Sequence, residues 1–285
     1  MLPFFSSRAL GANVKPRQFT RIQPECDERS TCLLAVTGDA RAQLLHHISD
    51  SLEGQLNADL SFYTRVVQRQ RGPVLELGCG SGRILEALVP SGELLFGLDC
   101  SRSGLRRARK RLAGAGRQAT FVQSDMMRVP GEFRFKLVIL AQHVLGYLPN
   151  DHEVRGLFAQ LRQVLEPGGR VALDLAPVEA WRAVDPNPPT NSWRDEEREA
   201  DVLGNHSCRW SSSRGAFIYT KSYQLEFAGQ RRWRVEEKTV MRTFSAESVV
   251  SLLKQLGYRN IEVYGSYSFE NFQDGCPRLI VLAQR

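Results

Sequence analysis

Val74-Leu75-Glu76-Leu77-Gly78-Cys79-Gly80-Ser81-Gly82-Arg83 decides how the rest of the chain is read. A short apolar run stops at three glycines spaced G-x-G-x-G, and a helical pattern follows over residues 83–88. Glycine lets the backbone turn tightly and lets a ligand approach the main chain closely. The spacing is not the G-x-G-x-x-G of a dinucleotide-binding turn. Structural turns use glycine too, so the weight of the loop rests on what flanks it.

Downstream, strands and helices alternate. Residues 94–98 form a second buried strand that ends at Asp99, and Ser101 caps a helix running through Leu112. Residues 120–123 and 137–141 make the third and fourth strands. Asn150 caps a helix over 151–165, with Glu153 placed three residues on as in a capping box. Pro167-Gly168-Gly169 stops that helix, and 171–175 is the fifth strand. Such alternation builds βαβ units, hence an α/β fold with a parallel sheet and helices on both faces.

Upstream, residues 1–35 lack periodicity, whereas Leu44, Leu45, Ile48, Leu52 and Leu56 recur at helical spacing, continued by Phe62, Val66 and Val67. Residues 1–58 therefore read as an extension, disordered and then helical, ahead of a domain over 59–285. Beyond the fifth strand, residues 176–214 are rich in Pro, Asn, Ser, Arg and Trp and read as an irregular cap. Residues 217–227 and 233–244 alternate in period two around Ala228-Gly229-Gln230, an antiparallel β-hairpin. Together, residues 176–243 form an insert after strand five. A helix over 244–256, capped by Ser245 and stopped by Gly257, and strands over 261–267 and 279–283 close the chain.

Acids stand at three successive strand ends: Glu76, Asp99 and Asp125. Asp99 is placed to accept hydrogen bonds from the two hydroxyls of a ribose, and Asp125 to reach an adenine amino group. Ligands of open α/β sheets bind at the carboxyl ends of the strands, near the switch in strand order.

On these motifs the chain resembles the class I S-adenosylmethionine (SAM)-dependent methyltransferases. Residues 74–83 look like their first motif, Gly97-Leu98-Asp99-Cys100-Ser101 the second and Gln123-Ser124-Asp125-Met126 the third. Residues 135–147 match the fourth, and Leu165-Glu166-Pro167-Gly168-Gly169-Arg170 the turn before strand five. Asp59-Leu60-Ser61-Phe62-Tyr63, Tyr264-Gly265-Ser266-Tyr267 and Pro277-Arg278-Leu279-Ile280-Val281 are similar to segments of a group that methylates small molecules. The resemblance implies a Rossmann-like seven-stranded sheet with SAM as cofactor. It places Gly78, Cys79 and Gly80 beside the methionine portion, and Glu76 in support of the loop. Asp99, with Cys100 beside it, would hold the ribose, and Asp125 with Met126 the adenine. Gln142 would lie beside the reactive methyl, with Tyr63 and Arg83 at the SAM carboxylate, a group that suits bidentate Arg.

Methyl transfer from a sulfonium needs alignment above all, and no metal. His143 is the candidate base for an acceptor that holds its proton, with a structural loop histidine as the alternative. Tyr147 either lines the same pocket or packs. All four tryptophans (Trp181, Trp193, Trp210 and Trp233) lie in the insert, as walls of a substrate pocket or as its anchors to the core. The Asn/Asp-Pro-Pro-aromatic motif of nucleic-acid amino methyltransferases is missing after strand four, where the chain reads Ala141-Gln142-His143-Val144. Asn187-Pro188-Pro189-Thr190 falls in the insert and reads as a loop. A nucleic-acid substrate is accordingly disfavoured.

The formal charge of +7 is concentrated partly in Arg102, Arg106, Arg107, Arg109, Lys110, Arg111 and Arg117, a solvated helix face or a patch for an anionic partner. Six cysteines without metal-site spacing fit reduced thiols in a cytoplasmic protein. The basic, acid-poor first residues leave organellar import as an alternative. No run is long enough to span a membrane. The expected function is methyl transfer to O or N of a small-molecule, specialised-metabolite-type acceptor. An RNA or protein methyltransferase and a non-catalytic SAM-fold subunit are the alternatives. Residues 1–58 are a candidate interface for a homo-oligomer.

Overall fold

The computed structural model describes residues 58–114, 119–183, 190–195, 199–213, 216–227 and 231–285. The expected disordered-then-helical extension and Asn187-Pro188-Pro189 therefore lie outside the described residues. The helices are α1 (Ala58–Gln70), α2 (Arg83–Leu88), α3 (Arg102–Gly114), α4 (Asp151–Val164), α5 (Val178–Ala183) and α6 (Ala246–Gln255). The first five strands are β1 (Val74–Leu77), β2 (Leu95–Asp99), β3 (Thr120–Gln123), β4 (Phe135–Leu140) and β5 (Leu165–Leu175). They are followed by β6 (Asn191–Asp195), β7 (Ala200–Ser211), β8 (Ala216–Phe227), β9 (Arg231–Met241), β10 (Arg259–Tyr264) and β11 (Leu279–Gln284).

Seven strands form one sheet in the order β10-β11-β5-β4-β1-β2-β3. The five from β3 to β5 run parallel, because α2, α3 and α4 return the chain between strands. β11 then enters antiparallel to β5, and β10 antiparallel to β11. Strand order reverses beside β1: β2 lies on one side and β4 on the other. That gap, at the carboxyl ends, is the site the fold offers a ligand.

Each face of the sheet carries its own core. Leu75, Leu77, Val138, Leu140, Val171 and Leu173 pack with Val154, Leu157 and Phe158 of α4 and Val249 and Leu253 of α6. Val74, Leu137, Ile139 and Ala172 pack with Phe62, Tyr63, Val66 and Val67 of α1 and with Ile84, Leu85, Leu105 and Leu112. Alternation along a strand then turns Glu76 and Asp174 toward this second face, among α1, α2 and α3. Helix ends follow the local chemistry. The Asn150 side chain accepts from the Glu153 backbone N–H at 2.9 Å, and Ser245 with Ser248 forms a full capping box on α6.

Two expectations are corrected. β5 begins at Leu165, not Val171, and Pro167-Gly168-Gly169 is absorbed as an irregularity within it: Phe135 pairs with Leu165, but Leu137 with Arg170. Glycine is required at Gly169, where an added Cβ would lie 2.9 Å from the Phe135 and Glu166 carbonyl oxygens. The segment read as an irregular cap contains α5 and two strands, so the insert is a four-stranded antiparallel sheet, β6-β7-β8-β9. Ala200, Val202, Tyr223, Leu225 and Val235 form its own small core. Trp181, Cys208, Phe217 and Met241 join it to the main body.

Candidate functional site

The glycine loop leaves β1 with three left-handed residues, Gly78 (φ +69), Gly80 (φ +50) and Gly82 (φ +78). At Gly78 a Cβ would stand 2.4 Å from Val144 Cγ2, so the loop lies against the turn that follows β4. At Gly80 it would meet nothing within 4 Å, which leaves that stretch of backbone open. Asp99, at the end of β2, ties the neighbouring turns: Oδ2 accepts from Gly80 N at 2.8 Å and Oδ1 from Ser101 N at 2.7 Å. A carboxylate has about four lone-pair sites, so each oxygen keeps capacity for a further donor such as a hydroxyl. Asp125 Oδ1 accepts from Met127 N at 2.8 Å, closing the turn that carries half-buried Met126. Cys100 is exposed beside Asp99, and Cys79 is buried against Gly97, which raises its thiol pKa.

Behind the loop lies a buried polar cluster: Asp59, Glu76 and Asp174 with Arg83, Arg278, Tyr63 and Tyr267. Arg83 reaches both oxygens of Asp59, at 2.8 and 2.5 Å. Both terminal nitrogens thus bond Asp59. Asp174 is fully buried; it accepts from Tyr267 Oη at 2.8 Å and from Gln142 N at 3.3 Å, and Arg278 lies 3.5 Å away. Burial raises its pKa, and Arg278 opposes that. Two groups have unmet capacity. Glu76 Oε2 and Tyr63 Oη are buried and have no partner among the described residues. Burial pushes the Glu76 carboxyl well above the usual carboxylate range, and the Arg83 charge works against the shift. Burial, then the Asp174 charge, raises Tyr63. Three acids and two arginines thus meet behind the loop, with Glu76 Oε2 and Tyr63 Oη left to bond a further group.

The turn after β4 places Gln142 (φ +49) and His143 (φ +60) in left-handed backbone, a costly conformation for two successive side-chain-bearing residues. Bonds from elsewhere hold it. His143 N donates to the Asp174 carbonyl at 2.8 Å, and His143 Nδ1 accepts from Ala176 N at 3.0 Å. Nε2 consequently carries the proton and donates to the Arg242 carbonyl at 2.6 Å. With both nitrogens committed and the ring 4% exposed, the imidazole is held neutral, its pKa pushed down to about 4 by burial. This is the geometry of a structural histidine, and it leaves no lone pair for a substrate proton. Tyr147 ends the following 3₁₀ turn and is 43% exposed.

Residues that the motifs did not single out complete the site: Asp174, the acid inside the apolar run of β5, and Asp59 as the partner of Arg83. In the insert, Trp181 is buried and Trp210 is 45% exposed, while Trp193 and Trp233 fall on β6 and β9. In the basic helix α3, Arg111 bonds Ser81 at 2.7 Å and Arg109 lies over Phe121, whereas Arg102, Arg106 and Lys110 are exposed. A cavity of about 210 Å3 between Arg69, Gln70, Arg170 and Glu262 lies at the start of β5, away from the glycine loop.

Comparison with known proteins agrees with this geometry. Residues 74–169 match the family profile described as a methyltransferase domain. YqeM of Bacillus subtilis (strain 168), described only as a candidate methyltransferase, is 24% identical over 220 residues, 76% of this chain and 85% of that one. A dTDP-3-amino-3,4,6-trideoxy-alpha-D-glucopyranose N,N-dimethyltransferase of Streptomyces venezuelae is 30% identical over 117 residues, 41% of this chain and 48% of the relative. The chain thus spans about half the length of that relative. In fold, the sugar N-methyltransferase KedS8 of Streptoalloteichus sp ATCC 53650 superposes with a TM-score of 0.70 at 17% identity, covering 90% of this chain and 98% of that one. A SAM-dependent methyltransferase of Clostridium acetobutylicum ATCC 824 gives 0.68 at 17% identity, with 85% and 97% covered. Residues 74–169 thus carry a methyltransferase domain, set in the fold of SAM-dependent methyltransferases.

Proposed function

We propose that the protein transfers the methyl group of SAM to an oxygen or nitrogen of a small-molecule acceptor bound between the carboxyl ends of β4 and β5 and the insert. The observation that carries this reading is the anchoring of the insert. Its first helix, α5, starts three residues after β5, and its last strand returns to His143 through Arg242. A four-stranded sheet rooted on both sides of the reactive turn encloses a small acceptor more readily than a polymer. Relatives named for a dTDP-amino sugar and for trans-aconitate support the same class.

The unpartnered Glu76 Oε2 and Tyr63 Oη suit the amino-acid end of SAM, whose ammonium can donate to Glu76 Oε2 and favour its ionised form. The open backbone at Gly80 lets the cofactor lie against the loop, with Gly78 and Cys79 beside it. Asp99 holds the ribose through its remaining lone pairs, Asp125 and Met126 the adenine, and Gln142 borders the methyl. When bound, SAM supplies an electrophilic methyl on a good leaving group. The chain's own contribution is alignment, an effect worth up to roughly 7–11 kcal/mol for well-oriented reactants. Because His143 has no free lone pair, the arrangement favours an acceptor whose nucleophile is already deprotonated, as a neutral amine or an ionised oxygen.

The test is turnover of SAM against a metabolite extract, with mass spectrometry of what gains a methyl group. A small molecule gaining methyl is expected. Methyl transfer confined to RNA or protein, with every small molecule unchanged, would refute the reading.

A further inference from the structure

Two buried hydrogen-bond donors on residues that contact His143 have no partner among the described residues: Trp181 Nε1 and Arg242 Nη1. Trp181 is 8% exposed. Its ring meets the His143 imidazole edge-on at 5.1 Å, stacks on Phe217 at 6.0 Å and meets Tyr219 at 5.6 Å. Arg242 meets the same imidazole. Its carbonyl takes the His143 Nε2 proton, and its guanidinium lies 5.4 Å from the centre of Phe244, itself 6.2 Å from His143. The other terminal nitrogen, Nη2, is satisfied by exposed Asp151 at 2.5 Å.

Indole is a donor and never an acceptor, and an indole N–H buried without a partner costs the full loss of its hydration. Phenylalanine would fill the same space among Phe217, Cys208 and Met241 without that penalty. The retained N–H is available to an oxygen that arrives with a ligand. Arg242 adds a permanent positive charge, and the Arg278 charge acts on the same imidazole. An N–H donor together with a guanidinium suits an anionic oxygen.

We propose that Trp181 Nε1–H and Arg242 Nη1–H form an acceptor-recognition subsite at the root of the insert, and that the methyl acceptor carries an anionic oxygen group there, a carboxylate or a phosphate. The proposal deepens the small-molecule reading above and rests on it.

The test uses the full-length protein, SAM and a metabolite extract, with total methyl incorporation as the readout and calorimetry of SAM binding alongside. Trp181→Phe keeps the ring stack but deletes the donor. Incorporation should fall at least about tenfold with SAM affinity unchanged, the scale of one buried hydrogen bond. Replacement of Trp181 by β-(3-benzothienyl)alanine, which puts sulfur in place of the N–H, should give the same loss and guards against misfolding of the Phe variant. Arg242→Gln should lower incorporation similarly. Acetate and inorganic phosphate are added as competitors; the one that inhibits the wild type but not Arg242→Gln names the group. Wild-type incorporation matched by both Trp181 variants would overturn the subsite alone, as would inhibition by neither anion. A wild type that methylates no small molecule would overturn the function it rests on, and the subsite with it.

Discussion

Asp59→Asn is the sharpest perturbation of the polar cluster. Arg83 and Asp59 are 12% and 3% exposed and meet in a two-pronged contact at 2.8 and 2.5 Å. Asparagine keeps the shape but removes the charge and turns an amide N–H₂ toward a guanidinium that has little water to retreat to. Stranding one member of a buried pair costs about 3–5 kcal/mol, against total stabilities of roughly 5–15 kcal/mol. Urea unfolding followed by circular dichroism should therefore show a large fall in midpoint with an unchanged slope. Arg83→Met should cost a comparable amount, since it strands Asp59 and removes the charge that holds the Glu76 carboxyl down. The double variant should cost clearly less than the sum, because each single change already forfeits the same pair. A loss under about 1 kcal/mol for Asp59→Asn, the value of an exposed pair, would refute the structural assignment. So would an Arg83→Met protein of normal stability that no longer binds SAM, which would return Arg83 to the cofactor.

Asp99→Asn removes the charge that gathers Gly80 N and Ser101 N; SAM affinity by calorimetry should weaken by about 1.5–3 kcal/mol, the range for hydrogen bonds to a charged group, and unaltered binding would misplace the ribose. His143 is held neutral with a folded pKa of about 4 against 6.5 unfolded. The unfolded chain then binds the extra proton first, so this contribution is complete above pH 6.5 and is lost as pH falls toward 4. At about 1.4 kcal/mol per unit the loss approaches ~3 kcal/mol, and His143→Gln should flatten that part of the urea-midpoint profile; parallel profiles would contradict the burial. Gly78→Ala adds a Cβ 2.4 Å from Val144 Cγ2 in backbone at φ +69, and thermal denaturation should show more than the ~1–2 kcal/mol of left-handed strain alone. Val144→Ala in the same chain should relieve the overlap but not the strain; no relief would mean that the loop does not pack on that turn.

How much of this was legible in the sequence depended on where each contact comes from. Strands β1, β2 and β4 are buried on both faces, and their near-continuous apolar runs stand out between helices. Asn150 and Ser245 act within one turn of their own positions, so their caps were readable as well. β7 was not: its inward row of Ala200, Val202, Gly204, His206 and Cys208 has a weak apolar signal, interrupted by glycine and histidine. His206 is tolerated there because Tyr219 and Tyr223 bond its two nitrogens at 2.8 and 2.5 Å, partners supplied by a neighbouring strand. The Arg83–Asp59 pair was likewise hidden, since it joins two helices 24 positions apart. Asp174 had a visible signal, an acid inside Val171-Ala172-Leu173-Asp174-Leu175. Period two puts it on the same face as Ala172, and Ile139 on the paired strand faces that way too.

His143 binds these observations into a single constraint on the chemistry. A histidine beside the reactive turn invites the role of base, but its surroundings oppose it at every atom: the ring is desolvated, Nδ1 is occupied by Ala176 N–H and Nε2–H by the Arg242 carbonyl. Freeing either nitrogen would release the start of the insert or its exit from the turn after β4. The residue therefore exchanges proton chemistry for position, holding two left-handed residues in place and fastening the inserted sheet to them. An alcohol that keeps its proton would find no base at this point, whereas an amine or a carboxylate would need none. The structural histidine thus narrows the acceptor more than a catalytic one would have done.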